Sequence, residues 1–165
     1  MKITWELLAE CLRDEVQEYG GMLRLFEEQQ DCVFRRDAER LLQLIEAINN
    51  ATQTAEAARR HREECVRAFA VDCGRDVTVS LRSLLPCVDD HARPLLEALI
   101  DEVNRLIHRV RRLARQNHLL LARTVELQQG LLRQFYPGAF TPTYSAHGRV
   151  AMAGAGPLPA YHAAG

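Results

Sequence analysis

The sequence predicts an all-α protein: an antiparallel bundle or coiled coil of three long helices, with a short connecting helix and a flexible C-terminal tail. Apolar residues recur every three or four positions through most of the 165-residue chain, the spacing of one helix face. All six prolines fall at or after position 86, so none interrupts a helix in the first half. After Tyr136 the chain turns to Pro, Gly and small residues with almost no charge, a composition that does not build a core. A helical bundle domain at 1–136 and a flexible Pro/Gly-rich tail at 137–165 follow from these shifts.

The first helix is expected over residues 4–33, where Leu8, Leu12, Val16, Tyr19, Leu23, Phe26 and Val33 make one face, with Gln30 as its polar exception. Gly20 and Gly21 sit inside it at a cost of about 1 kcal/mol each relative to Ala, which marks a close helix approach or a soft bend. Asp37 is placed to cap a second helix running to residue 72. Its stripe of Leu41, Ile45, Ile48, Ala55, Ala58, Cys65 and Phe69 is thinner and richer in small residues. The pattern breaks at 73–76, and 77–85 reads as one or two helical turns closed by Pro86. From residue 90 to 135 comes the clearest periodicity: Leu99, Val103, Leu106, Val110, Leu113, Asn117, Leu120, Thr124, Leu127 and Leu131 alternate four and three residues. That is a coiled-coil seam. A helix of this extent is about 65–70 Å long at 1.5 Å per residue, and its partners should be the two earlier helices, packed antiparallel.

The totals narrow the function classes. A net charge of −1 with 26 % charged residues gives no broad field for nucleic acid or an anionic membrane. The start MKITWELLAECLRDE carries acids by its tenth residue and no apolar run, so it reads as neither signal peptide nor membrane span. Five cysteines, an odd number without close spacing, fit a reducing cytoplasm better than a disulfide framework.

No constellation for catalysis stands out: there is no glycine-rich loop after a strand and no nucleophile elbow, and the chain reads as a protein that is not an enzyme. His61 with Cys65, and Cys87 with His91, stand four apart, on one helix face each. A zinc site needs three or four ligands, and no third lies at a telling distance in sequence, so neither metal nor cofactor is expected and the cysteines read as small core residues. Arg105, Arg109, Arg111, Arg112 and Arg115 cluster within three turns and read as a solvated helix face. Asn117 and Thr124 put polar groups into a seam of Leu and Val, as residues that fix register do. Equally, this part of the seam could be left for a helix of another chain, since His118, Leu119, Leu120 and Leu121 widen the apolar face there.

LARQNHLLLARTVELQQGLLRQF at 113–135, VTVSLRSLLP at 77–86, EVQEYGGMLRLFEEQQDCV at 15–33, the Arg36–Asp37 step and TYSAHG at 143–148 together resemble the FlgN family of flagellar export chaperones. LARQNHLLLARTVELQQGLLRQF at 113–135 is similar to the family's Asn followed by paired leucines, a small polar residue and a further apolar face. VTVSLRSLLP at 77–86, EVQEYGGMLRLFEEQQDCV at 15–33 and the Arg36–Asp37 step match in order. TYSAHG at 143–148 is similar to a late Tyr-Gly-x-x-Gly signature, with Ser145 where Gly is usual. The resemblance implies a cytosolic chaperone that binds the C-terminal helices of hook-associated (hook–filament junction) proteins and delivers them to the flagellar type III export gate. It implies no cofactor, and with the charge and hydropathy above neither nucleic acid nor stable membrane insertion is expected. By the same resemblance the client-binding face is Asn117, Leu120, Leu121, Thr124, Leu127 and Leu131, and Tyr144 docks at the export gate. A structural coiled coil that self-associates without a client is the alternative, and such a seam is compatible with a homodimer.

Overall fold

The computed structural model describes residues 4–136 in full and the backbone of Thr143–Tyr144 and Val150–Ala151. Three long helices dominate: α1 (Trp5–Arg35), α2 (Ala38–Asp72) and α4 (Arg93–Phe135). Between α2 and α4 lie α3 (Leu81–Leu84) and a 3-10 turn (Leu85–Cys87). Pro86 is therefore the second residue of the 3-10 turn, where its missing N–H is harmless, instead of closing the segment. Thr143–Tyr144 (β1) pairs antiparallel with Val150–Ala151 (β2) in a stretch where the sequence suggested no regular structure. The other residues of the expected tail, and the side chain of Tyr144, lie outside the described residues.

The α1–α2 reversal is set locally. Arg36 adopts a left-handed conformation at φ 58°, and the Asp37 N–H donates to the Cys32 carbonyl at 3.0 Å, closing the last turn of α1. The Asp37 carboxylate then accepts from the Arg40 N–H at 3.0 Å and caps α2. Cross-helix pairs prove the direction: Cys11 meets Cys65, Glu15 meets Arg62, Glu18 meets Thr54 and Glu28 meets Arg40. As one number rises the other falls, so α1 and α2 are antiparallel. The expectation that α4 packs antiparallel on both needs correction. Trp5 stacks edge-on against His91, and Asn117 reaches Phe26 and Gln29, so α4 runs in the same direction as α1 and opposes only α2.

The main core lies where α1 begins and α2 ends: Leu8, Leu12, Phe69, Ala70 and Leu96, with Leu81, Leu84, Leu85 and Val88 of the connecting segment buried among them. That segment supplies apolar cover for the ends of three helices. A second cluster, Met22, Leu23, Ala55, Leu106 and Val110, continues along the helices. Small Ala55 is the α2 member of this cluster, between side chains of α1 and α4. The α2 face starts on Leu44, which is fully buried, whereas Ile45 is half exposed. Gly20 is not a point of close approach, because a methyl group there would meet no atom within 4 Å, and α1 continues through it. The chain divides into two units, Met1–Leu119 and Leu120–Gly165, the division falling within α4. Among the described residues no helix is long and apolar enough to cross a membrane.

Candidate functional site

The seam of α4 changes character along its length. Val103, Leu106 and Val110 are buried, and Leu99 and Leu113 pack partly buried against the two clusters. Asn117 is 1 % exposed, and its amide donates to the Phe26 carbonyl at 2.7 Å and to Gln29 Oε1 at 3.0 Å. It sits inside the bundle with both amide hydrogens used on α1, the geometry of a residue that fixes helix register. Gln29, buried, was not foreseen, since the stripe read from the sequence put Gln30 there.

Beyond this point the heptad repeat continues while burial declines. Leu120, Leu121 and Thr124 are half-buried, and the Thr124 hydroxyl donates to the Leu120 carbonyl at 2.9 Å, so it adds no unpaired donor to the face. Leu127 is 63 % exposed and Leu131 56 %. Val125, Leu132, Phe135 and Tyr136 are exposed too, and every residue from 125 to 136 is exposed. Val125 and Leu132 escaped the sequence reading; they continue the row of Leu121, one position over from the seam, and that shifted repeat was the available signal. Burying one such side chain is worth about 1.5–3 kcal/mol, so this row retains a substantial unspent drive for association.

The five arginines clustered at 105–115 are exposed, with Arg105 paired to Glu102 and Arg109 lying 3.9 Å from Glu27. At this exposure such pairs contribute little, and the patch is a solvated face. Tyr144 takes part in the β1–β2 pairing through its backbone, opposite Val150.

The structure also brings together residues the sequence left apart. Cys11 of α1 joins His61 and Cys65 of α2: the two sulfurs are 3.5 Å apart, and Cys65 Sγ is 4.0 Å from His61 Nε2. Burial, and then the hydrogen bond with Cys65, push the Cys11 thiol up to about 12. One turn along α1, the fully buried Glu15 carboxylate is bound by Arg62, and its Oε2 has no hydrogen-bond partner among the described residues. The third member of this group was hidden because Cys11 lies far from Cys65 in sequence. Its signal was the turn at Arg36–Asp37, from which the two cysteines are nearly equidistant.

No curated protein and no solved structure matches the chain. The family model described as FlgN protein matches residues 1–151, nearly the whole chain. The chain therefore belongs to the FlgN family, a family of flagellar export chaperones.

Proposed function

We propose that the protein is a cytosolic chaperone for hook-associated proteins, holding their C-terminal helices apart and delivering them to the flagellar export gate. One observation carries this reading: the apolar heptad row of α4 runs past Asn117 into residues that this chain leaves exposed. An amphipathic helix recognises such a row through anchors at i, i+3, i+4 and i+7. The client face comprises Leu120, Leu121, Thr124, Leu127 and Leu131, extended by Val125 and Leu132. The bundle domain at 1–136 carries this face, and the tail at 137–165 carries Tyr144 as the docking residue for the export apparatus.

The test is binding of a hook-associated protein's C-terminal segment to the double variant Leu127→Gln, Leu131→Gln. Affinity should fall about 10-fold or more, a loss of at least about 1.4 kcal/mol, with the thermal midpoint nearly unchanged because both side chains are exposed in the free protein. Unchanged affinity moves the client site elsewhere. The same row also fits a second copy of the chain, and sedimentation separates the readings: a concentration-dependent dimer lost in the double variant, with no client capture by the wild type, favours self-association.

A further inference from the structure

Two ligand-bearing helices meet at Cys11, His61 and Cys65. The donor atoms of these three residues all lie within 4.8 Å of one another. A tetrahedral zinc ion, with Zn–S of about 2.3 Å and Zn–N of about 2.0 Å, needs donors about 3.5–3.8 Å apart. The observed 3.5 Å between the sulfurs and 4.0 Å between Cys65 Sγ and His61 Nε2 are near those edges. The i, i+4 spacing of His61 and Cys65 puts both on one face of α2, and α1 presents Cys11 opposite them. From these positions we infer that the protein has a zinc-binding site at Cys11, His61 and Cys65, with a fourth position open to solvent.

Charge and access support a divalent ion of this kind. Binding takes one proton from each thiol, releases both to water, and leaves a Zn2+ with two thiolates and a neutral imidazole, which carries no net charge. A neutral complex suits a site whose two sulfurs are buried. Thiolate and imidazole donors also select zinc over magnesium or calcium, which take oxygen ligands. His61 is exposed and gives the ion a route from solvent. The bound ion links α1 to α2 next to the main core, since Cys11 and Cys65 belong to it. This role is separate from client capture on α4.

The experiment uses the full chain, reduced and kept free of oxygen, titrated with Co2+ as an optical probe and then with Zn2+. One equivalent of Co2+ should produce thiolate-to-cobalt charge-transfer bands that one equivalent of Zn2+ abolishes. His61→Ala, which removes an exposed side chain, should keep the helical circular dichroism and weaken zinc binding about 10-fold or more, the scale on which even outer partners of metal sites act. Cys65→Ser should abolish the charge-transfer bands, while the Cys73→Ser, Cys87→Ser double variant should keep them. Absence of these bands in the reduced wild type overturns the site, and so does unchanged binding in His61→Ala or bands that depend on Cys73 and Cys87.

Discussion

Asn117 shows how one side chain can set the alignment of two helices. Its two amide hydrogens go to the Phe26 carbonyl and Gln29 Oε1, both acceptors, in a buried site. Asn117→Asp keeps the shape but replaces the donor group with an acceptor, and should destabilise the protein by about 2–4 kcal/mol at neutral pH. The sign of its pH dependence is fixed: burial raises the introduced carboxyl above its unfolded value near 3.9, so the charge penalty is absent below about pH 4 and grows as pH rises through the folded value. Chemical denaturation at pH 4 and pH 7 checks this, with the stability gap from wild type expected to be wider at pH 7. The Glu15–Arg62 pair makes a second residue-level case. Glu15 is fully buried and Arg62 is its counter-charge, so Arg62→Met should cost about 3–5 kcal/mol by leaving the carboxylate unpaired. Restoration of most of that loss in the Arg62→Met, Glu15→Leu double variant would identify the uncompensated charge as the cause.

At the scale of the helix, the interior of α1 contains an avoidable weakness. A methyl group at Gly20 meets nothing, so Gly20→Ala should raise stability by about 0.5–1 kcal/mol through helix propensity and reduced unfolded-state freedom, measured by urea denaturation. The helices themselves were legible because long amphipathic helices write their buried face into sequence spacing: the expected 37–72 and 90–135 differ from α2 and α4 by three residues at most. Legibility failed where a face depends on the neighbour. Ile45 fits the periodic stripe of α2, but it is Leu44 that the fold buries. Glu15 and Gln29 are buried for the same reason: a polar residue can occupy an interior position when another helix supplies its partner, and sequence spacing does not show that partner. The Cys11, His61 and Cys65 group likewise required the register of the α1–α2 turn.

Across the whole molecule, burial is divided along one helix, and the proposed binding face takes the exposed part. Leu96 is fully buried and Leu127 is largely exposed, though both belong to α4. Leu96→Ala should therefore cost about 2–5 kcal/mol of stability, and Leu127→Ala only about 0.5 kcal/mol or less, a contrast that thermal denaturation of the two variants resolves. The proposed client face is the exposed apolar row of α4, on a chain that belongs to a family of export chaperones. Hydrogen–deuterium exchange of the full chain, with and without the C-terminal segment of a hook-associated protein, tests that claim most directly. The account predicts fast exchange at 120–135 in the free protein and strong client-induced protection there, with α1 and α2 little changed. Protection concentrated on α1 or α2, with 120–135 still exchanging fast in the complex, would contradict it.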